Sequence, residues 1–503
     1  MAALLGCNSN SVNAIPPPSG SFSNSSLSGT YVLSAQGSDS AGVFFTLAGT
    51  LAANGSGGIT GGTLDLNDPE VGVASNTAIS GGNYKITSDG RGTATLNTSL
   101  GAFGLDFVLL SSSHGLVTEY DNSASGSGSL DLQSAPTQSQ IAGSYAFSLT
   151  GISSLNTTTG AQPPFATAGA FTLDASGNIT AGVQDFNNSG NSSGLTSLPL
   201  SGSVSLAAVP GVATLISTAG TFTFDVYPID STHLKFIERD AAPILIGDAF
   251  TQTSSIATGA NVFTMSGLDT IIGGPFTAAG IIVTNGSGTI TAGSEDINDS
   301  GTASQVPNIS GSYTALTGGR SVVTLTGFNN GANEVLGTYQ FAAFPSSGGL
   351  LLIEIDNAGI TAGVAFAQSA TSITSSQGYG LNLTGVNANG EEDDIAEFSN
   401  NNGTLTGVVD FNDMGNLSPD QKFSATYTAD STANGRGTMA SSSFNLVSYV
   451  VDNATTLFIE IDSSQVASGS FVLQTPTAKS SLAAAHLAVV GLKSGPHKAL
   501  KRR

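Results

Sequence analysis

The sequence lacks the residues on which three common classes of protein depend. Its 503 residues include a single cysteine, so no disulfide can form within the chain. Lys and Arg number 13 against 35 Asp and Glu, and the formal charge of −22 leaves no basic cluster for nucleic acid phosphates. No apolar run reaches the roughly 20 residues that a membrane-spanning helix needs. Packing and strand pairing must therefore stabilise the fold, and nucleic acid is not an expected partner.

The residues that are abundant are typical of strands and tight turns. Trp is absent, whereas Gly occurs 64 times and Ser, Thr and Asn make up much of the remainder. Lys, Arg and Glu, which stabilise helix surfaces, are scarce, so the composition favours many short strands over long helices. A chain of this length is expected to contain about three to five domains. The composition therefore predicts an all-β protein with several domains.

Two motifs recur along the chain with a common period. The first is an Asp-x-Asn motif that returns about every 110 to 120 residues, and the second follows each copy by about 50 to 58 residues. The copies of the first motif are Thr63-Leu64-Asp65-Leu66-Asn67-Asp68, Val183-Gln184-Asp185-Phe186-Asn187-Asn188, Ser294-Glu295-Asp296-Ile297-Asn298-Asp299 and Val408-Val409-Asp410-Phe411-Asn412-Asp413. The copies of the second are Thr118-Glu119-Tyr120-Asp121, Ile237-Glu238-Arg239-Asp240, Ile353-Glu354-Ile355-Asp356 and Ile459-Glu460-Ile461-Asp462. Two independent motifs with one period indicate four tandem repeats, at residues 27–134, 141–253, 256–369 and 373–475.

Each repeat is expected to form about eight antiparallel strands. Turn sequences such as Asp89-Gly90-Arg91-Gly92 separate the strand patterns, and short connections force neighbouring strands to pair antiparallel. An eight-strand meander can close into an up-and-down barrel. The openings Gly29-Thr30-Tyr31 and Gly143-Ser144-Tyr145 resemble the lipocalin Gly-x-Trp, with Tyr in place of Trp, and the third and fourth repeats lack them. The strand order is similar to the lipocalin and avidin-like class, which implies barrels by architectural analogy.

Two other closures stay open. A sandwich of two packed sheets in each repeat fits the same strand pattern. Ile79-Ser80-Gly81 and Ile309-Ser310-Gly311 resemble Leu27-Ser28-Gly29 but fall midway through their repeats, so each repeat divides into two half-units. Eight four-stranded half-units would form an eight-bladed propeller. We expect separate barrels or sandwiches, because the two halves of a repeat are less alike than the four whole repeats.

The N-terminal segment Leu4-Leu5-Gly6-Cys7 resembles the lipobox of bacterial lipoproteins. In that motif an apolar pair and a small residue precede a cysteine that accepts a lipid and becomes the mature N-terminus. The resemblance covers about seven residues, and it implies that the charged and apolar regions of a signal peptide precede them. It also implies that residues 1–26 are a lipobox remnant and a flexible tether, in a protein of the cell envelope that faces the periplasm or the exterior. Residues 477–503, which end in Lys501-Arg502-Arg503, are interpreted as a basic tail.

The first motif is a candidate for weak calcium binding. Side chains at i and i+2 of a strand point the same way, and carboxylate and amide oxygens are the ligands that calcium prefers. We favour the other interpretation, a strand end whose Asp and Asn side chains cap a turn through local hydrogen bonds. No cofactor is expected, and calcium is the one candidate. Its candidate ligands are Asp65, Asn67, Asp68, Asp185, Asn187, Asp296, Asn298, Asp299, Asp410, Asn412 and Asp413.

The second motif places a Glu and an Asp on one face of a strand. Same-face strand positions are about 6 to 7 Å apart, within the range that a pair of glycosidase carboxylates needs. Their recurrence in all four repeats favours a structural role, because a catalytic pair usually occurs once in an enzyme. Ile353 and Ile355 indicate that Glu354 points outward, whereas Leu234 and Phe236 indicate that Glu238 points inward. The repeat carboxylates are Glu119, Asp121, Glu238, Asp240, Glu354, Asp356, Glu460 and Asp462.

The histidines of the repeats follow no catalytic pattern. His114 and His233 occupy a repeat position that is Gly349 and Thr455 in the other two copies. A position that accepts such different residues is typical of a turn rather than of a metal ligand or a catalytic base. We therefore assign no catalytic residue.

These features favour a non-catalytic cell-envelope lipoprotein that acts as a surface spacer, an adhesion module or a binding array. Repeated weak sites would give avidity, and the expected partners are the membrane, through the N-terminal lipid, and a surface glycan or protein. One alternative is a small-ligand carrier that uses the barrel interiors. The other is a carbohydrate-active enzyme that uses one Glu/Asp pair. Filled interiors would favour the spacer, and a cleft around only one pair would favour the enzyme.

The lipobox interpretation predicts that Cys7 holds the protein at a membrane. With a complete signal peptide in front of the chain, the protein should partition with membranes, and Cys7→Ser should release it into the soluble fraction. One acyl chain binds a membrane only marginally, so stable partition requires the multiple chains of a lipoprotein. Mass spectrometry of the cell-derived N-terminus checks the modification, and a free Cys7 thiol in the mature protein would refute the interpretation.

Overall fold

Four closed antiparallel β-barrels make up almost all of the described chain. The structure, a computed structural model, describes residues 21–188, 195–328, 337–432, 434–442 and 444–476. Each barrel is a meander in which consecutive strands pair and the last strand pairs with the first. Among the described residues, no helix is long and apolar enough to span a membrane.

The first and fourth barrels each contain eight strands. The strands of the first are β1 (Ser28–Asp39), β2 (Phe44–Asn54), β3 (Gly58–Asp68), β4 (Gly72–Ile86), β5 (Arg91–Thr98), β6 (Gly101–Leu109), β7 (His114–Asp121) and β8 (Ala124–Leu132). The second and third barrels each contain nine segments, because the strand that corresponds to β4 is interrupted.

The segments of the second barrel are β9 (Gly143–Ile152), β10 (Pro164–Leu173), β11 (Asn178–Asn188), β12 (Leu198–Pro199), β13 (Ser201–Ser205), β14 (Gly211–Ser217), β15 (Gly220–Pro228), β16 (His233–Glu238) and β17 (Ile244–Thr251). Those of the third are β18 (Gly259–Asp269), β19 (Gly274–Thr284), β20 (Thr289–Asp299), β21 (Thr302–Val306), β22 (Ser310–Tyr313), β23 (Ser321–Phe328), β24 (Gly337–Ser346), β25 (Gly349–Glu354) and β26 (Gly359–Ala367). Those of the fourth are β27 (Gln377–Asn387), β28 (Glu391–Asn401), β29 (Thr404–Asp413), β30 (Asn416–Ala429), β31 (Arg436–Ala440), β32 (Asn445–Val450), β33 (Thr455–Glu460) and β34 (Gln465–Leu473).

Each barrel has its own apolar core, formed by the inward side chains of every strand. An eight-stranded barrel has an interior just wide enough for side chains to fill. In the first barrel Tyr31 and Leu33 from β1 pack in one core with Phe107 from β6, and in the second the ring centroids of Phe147 and Phe171 are 5.8 Å apart at a tilt of 34°. Every second residue of a strand therefore points into the core of its own barrel, and the residues between them form the outer face of the barrel.

A short segment ahead of each barrel closes one of its ends. Phe22, 2 % exposed, packs into the first core, and Ile141, Ile256 and Ile373 do the same in the other three. In the first barrel the hydroxyl of Tyr84 also donates to the carbonyl of Leu27 at 2.7 Å. We call this the plug end, and the opposite end, where β1 and β7 finish, the acidic end, because the Glu residues of the second motif lie there.

The outer faces of the barrels pack against one another in a ring. Apolar clusters join the first barrel to the second, the second to the third and the third to the fourth. A further cluster joins the fourth to the first, through Val108, Leu110 and Leu116 on one side and Ile395 and Val472 on the other. Head-to-tail contacts of this kind close into a ring when the rotation between units allows it.

The prediction of four tandem all-β repeats with about eight antiparallel strands each is confirmed, and the closure is the barrel. The sandwich and the eight-bladed propeller are wrong, because β1 pairs with β8 and seals the sheet of one repeat on itself. The flexible tether is wrong for its last residues, since Phe22 is buried and Asn24 accepts a hydrogen bond from the amide of Ile86 at 2.9 Å. Cys7 and the basic tail lie outside the described residues.

Candidate functional site

The Asn of the first motif lies at each joint between two barrels. Its amide donates to main-chain carbonyls at the second motif of the next barrel. Asn67 reaches the carbonyls of Glu238 at 3.0 Å and Asp240 at 2.8 Å. Asn187 reaches those of Glu354 and Gly359, both at 2.8 Å. The two sequence motifs are therefore the donor and acceptor halves of one joint.

The same arrangement completes the ring. Asn298 donates to the carbonyls of Glu460 at 2.8 Å, Asp462 at 3.2 Å and Gln465 at 2.8 Å. Asn412 of the fourth barrel donates to the carbonyls of Glu119 at 2.7 Å and Ala124 at 2.8 Å in the first barrel. All four Asn side chains are buried. The fourth joint thus repeats the other three across a separation of almost 300 residues in sequence, which only a closed ring allows.

The Asp of the first motif adds a second contact to each joint. Asp185 accepts two bonds from Arg320, at 2.6 and 2.7 Å, and Asp296 accepts two from Arg436, at 2.7 and 2.8 Å. These are bidentate guanidinium–carboxylate pairs, which are short, directional and geometrically specific. Burial of the carboxylates at 0 and 6 % side-chain exposure makes each pair sensitive to the loss of one partner.

The other two joints use different partners for the Asp. Where the next barrel would supply an Arg to Asp65, it has Pro210, and the hydroxyl of Tyr227 donates to Asp65 at 2.7 Å instead. At the fourth joint Arg91 lies 3.8 Å from Asp410 and donates to Asp420 at 2.8 Å. The amide is therefore the constant part of the joint, and the ionic contact varies.

Within its own barrel the Asp also accepts a backbone N–H from a left-handed residue. Asn76, Ser197 and Asp420 have φ angles of 55, 56 and 55°, and their amides donate to Asp65, Asp185 and Asp410. Non-glycine residues in this region are uncommon and persist where the surroundings hold them. The Asp thus holds the left-handed residue of its own barrel in place and also contacts the neighbouring barrel.

The Glu of the second motif points into the barrel in all four repeats. Leu352 belongs to the core of the third barrel while Ile353 packs on the second barrel, so Glu354 is inside and 0 % exposed. The outward orientation expected for Glu354 is wrong, because the apolar residues beside it face a neighbouring barrel instead of their own core. The inward orientation of Glu238 is correct. Burial raises the pKa of Glu238 to about 9 and that of Glu119 well above its usual range.

The Asp of the second motif bonds to a neighbouring strand. Asp121, Asp356 and Asp462 accept backbone N–H bonds from Gly104 at 3.2 Å, Gln340 at 2.7 Å and Asn445 at 2.8 Å. Asp240 contributes its carbonyl to Asn67. Burial and then the charge of the neighbouring Asp raise the pKa of Glu238 and of Glu460, so the Glu and the Asp of these two pairs interact with each other.

The joint between the fourth and first barrels contains two further acids. Asp393 accepts hydroxyl bonds from Ser125 at 2.7 Å and Ser127 at 2.6 Å, and Glu391 accepts one from Ser38 at 2.5 Å. Burial raises the pKa of Asp393 to about 6 and that of Glu391 well above its usual range. This joint is therefore more polar than the others and its charge depends on pH.

Both histidines of the repeats form buried contacts with an Asp. His114 Nδ1 lies 2.6 Å from Asp131, and His233 Nε2 lies 2.7 Å from Asp248, which also binds Lys235 at 2.6 Å. Burial disfavours the charge of Asp131, but the contact with His114 outweighs it and lowers the pKa to about 2. The turn interpretation is wrong for these positions, since His114 and His233 begin β7 and β16 and are buried.

The residues of the calcium hypothesis have other uses in this arrangement. Asp68 accepts the amide of Glu70 at 2.8 Å, as a turn cap does, and Asn412 Oδ1 accepts the amide of Gly415 at 2.8 Å. Asp299 and Asp413 also lie at strand ends, and Asn389 donates to Asp413 at 2.6 Å. Among the described residues, no group of three or more His, Cys, Asp and Glu has the geometry to hold a metal ion.

Sequence reasoning missed the cations of the joints. Arg320 and Arg436 were not singled out, although Arg91, Arg320 and Arg436 each follow a Gly at the same point of their repeats. Lys and Arg are rare in this chain, so recurrence of one Arg at a fixed repeat position was a usable signal. Tyr227 and Tyr449, which donate to Asp65 and Asp296, could not be found in this way because Val108 and Phe344 replace them in the other repeats.

The contacts at the joints predict that replacing Asn298 lowers the free energy of unfolding by more than the size of its side chain suggests. Asn298→Ala removes a donor from three carbonyls, and each unsatisfied buried acceptor costs about 1 to 3 kcal/mol. Allowing for water that enters the gap, we expect a loss of about 2 to 5 kcal/mol in the free energy of unfolding, measured by urea denaturation. Asn298→Asp, which has the same shape but cannot donate, should lose at least as much.

The matched control is Asn97→Ala, on the exposed face of β5. An exposed substitution away from such contacts changes stability by within about 0.5 kcal/mol. Equal effects of Asn97→Ala and Asn298→Ala would show that the amide does not hold the joint.

The buried carboxyls predict that stability falls as the pH rises from about 4 to about 9. Burial raises the native pKa of Asp393 to about 6, of Glu460 to about 8 and of Glu238 to about 9, whereas unfolded Asp and Glu titrate near 4. Over this range the native state binds more protons than the unfolded state, so a rising pH favours unfolding. Calorimetry should give a higher melting temperature at pH 5 than at pH 8.5.

Two observations would check the cause of this dependence. Glu238→Gln replaces the carboxyl with a neutral group of the same shape, so it should reduce the fall in melting temperature. Below about pH 4 the trend should reverse, because the pKa of Asp131 is lowered to about 2 and its native charge is lost there. A melting temperature that rises steadily from pH 5 to pH 8.5 would contradict the assignment.

The comparisons with known proteins give no information about the function of this chain. No family model matches the chain, and no curated protein is similar to it. The closure of the barrels and the joints between them are therefore known from this structure alone, and a fold by itself does not imply a function.

Proposed function

We propose that the protein is a non-catalytic body of the cell envelope, a rigid spacer that is held at the membrane through lipid on Cys7 and presents its loops to a surface partner. The observation that carries the proposal is the cyclic series of Asn amides, which ends with Asn412 of the fourth barrel on Glu119 of the first. A body closed in this way moves as one unit. It suits a spacer or a platform for adhesion better than a string of independent domains.

The use of the polar residues supports a non-catalytic role. The Asn of the first motif holds barrels together in every repeat, and the Glu residues of the second motif are buried inside their barrels. A catalytic group needs access to substrate and a partner within hydrogen-bond reach of the reacting atoms. The recurring Glu residues lack that access to substrate, because they are 0 to 3 % exposed inside their barrels.

A second candidate function, ligand binding in a barrel interior, is favoured by one observation. The fourth barrel contains a cavity of about 70 Å³ that is lined by Glu460 and not by Asp462. A sugar-binding cleft is several times larger, since ligand pockets have volumes of about 300 to 1,000 Å³. The cavity therefore supports a carrier of a very small ligand and not a carbohydrate-active enzyme that uses the Glu/Asp pair.

Small-angle X-ray scattering tests the rigid body. A compact protein of this length has a radius of gyration of about 23 Å, whereas four barrels in a flexible row would exceed about 35 Å. We expect the compact value, slightly raised by the termini. Asn412→Ala combined with Asp393→Ala, which removes the contacts that close the ring, should increase the radius, and Asn97→Ala should not.

The outcome that refutes the spacer is a radius above about 35 Å for the unaltered chain, with a scattering profile typical of linked domains. That result would replace the single body with an array of separate units.

A further inference from the structure

The fourth barrel differs from the other three in two interior residues. In each barrel one inward residue of the second strand pairs with a residue near the start of the first strand. These equivalent residues of the second strand are Leu51, Phe171, Ile282 and Phe398. The side chains four and six residues before each of them also point inward. These positions hold Leu47 and Phe45 in the first barrel, Thr167 and Phe165 in the second, and Ala278 and Phe276 in the third. In the fourth they hold Asp394 and Glu392. A Phe that fills the acidic end of three barrels is thus replaced by a carboxyl in the fourth.

The replacement leaves space. The fourth barrel contains a cavity of about 70 Å³ near its acidic end. Leu381, Val409 and Met439 form part of the apolar wall of this cavity, and Glu392, Asp394 and Glu460 supply its carboxyl groups. A water molecule occupies about 10 to 15 Å³ on this measure, so the cavity has room for about five non-hydrogen atoms. None of the residues that line it is Lys, Arg or His. Three acids therefore share one apolar chamber without a cation.

Several polar atoms of the chamber have no partner among the described residues. They are Asp394 Oδ1, Glu460 Oε2 and Gln465 Nε2, on side chains that are 6, 3 and 8 % exposed. An unpaired buried polar atom costs about 1 to 3 kcal/mol, and more when it is charged. Glu392, partly exposed at the mouth, is held by Asn387. Glu392 thus lies at the mouth of the chamber, and Asp394 and Glu460 lie deeper. The unpaired oxygens of the two deeper carboxyls are therefore available to a ligand.

We propose that the interior of the fourth barrel binds a small organic cation, a primary ammonium whose charged end lies between Asp394 and Glu460 and whose apolar chain lies against Leu381 and Val409. This inference deepens the second proposed function and rests on it. An ammonium supplies three donors, which match unpaired carboxylate oxygens. An aliphatic chain suits apolar walls, and the volume limits the ligand to about five non-hydrogen atoms.

Charge favours an organic cation over a metal ion. The geometry of the three carboxyls is not that of a metal site, since no such group exists among the described residues. Like charges buried together repel, and burial followed by the charges of Glu392 and Glu460 raises the pKa of Asp394 well above its usual range. The empty chamber therefore retains protons, and an ammonium replaces them when it binds. A net release of protons is a consequence that a purely apolar cavity would not show.

The test is isothermal titration of the full chain with n-butylammonium chloride at pH 8.5, where an alkylamine with a pKa of about 10.4 is charged. The comparison ligands are n-butanol, which has the same length without charge, and calcium chloride. We expect n-butylammonium to bind at least tenfold more tightly than n-butanol, and calcium to show no selective binding. Titration in two buffers of different ionisation enthalpy should reveal proton release from the groups that line the chamber, which are Glu392, Asp394 and Glu460. The charges of Asp393 and Asp413, which lie outside the chamber lining, also act on Asp394.

Two variants separate the site from the fold. Glu392→Phe with Asp394→Leu restores the residues of the first barrel, so it should abolish binding while the melting temperature stays the same or rises. Asp394→Asn keeps the shape of the chamber and should weaken n-butylammonium binding at least tenfold. The control is Glu70→Gln, an exposed acid on the first barrel, which removes one carboxylate from the surface and should leave binding unchanged.

Each contrary outcome has a distinct meaning. Equal binding of n-butanol and n-butylammonium would overturn the choice of a cation and leave the interior as a ligand site. Binding of neither would overturn both the cation and the carrier function, while the compact radius of gyration would still stand on its own measurement. Selective calcium binding abolished by Asp394→Asn would make the chamber a metal site and overturn the proposal.

Discussion

A buried Asn amide that bridges two barrels is the contact on which the rest of the architecture depends. The amide group has two N–H donors in a fixed plane, and in each joint it is placed between carbonyls at the end of a strand in the next barrel. Because an unpaired buried carbonyl is costly, only one register of the two barrels satisfies the contact. Repeating this register four times turns a chain of separate cores into a closed ring.

The ring explains how a chain with a formal charge of −22 buries many carboxyls. Some are paired with Arg, such as Asp185 and Asp296, and others accept hydroxyl or backbone bonds, such as Asp393. The remainder, such as Glu238, lie in cores where burial raises the pKa and the neutral form persists. Stability and protonation are therefore linked, and repulsion between like charges falls when the buried groups retain protons.

The four repeats share one geometry at their joints but differ in the residues that complete it. The Asn is constant, whereas the partner of the Asp is Tyr227, Arg320, Arg436 or a distant Arg91. The joints are thus similar in geometry and unequal in chemistry. The same divergence places Glu392 and Asp394 inside the fourth barrel, where the other barrels have a Phe and a Leu, Thr or Ala. A closed ring with an acidic cavity in its fourth barrel is consistent with both proposed roles.

The sequence by itself determined the fold class, the number of repeats and the two motifs, because strand alternation, turn residues and periodicity are local properties of a chain. It also contained the Glu391-Glu392-Asp393-Asp394 run, although nothing local shows that only Glu392 and Asp394 face the interior. The closure of each sheet, the inward direction of Glu354 and the pairing of Asn67 with the strand end at Glu238 were decided by tertiary structure. An apolar residue beside a strand position can face its own core or a neighbouring barrel. Only packing distinguishes the two, because both surfaces exclude water equally well.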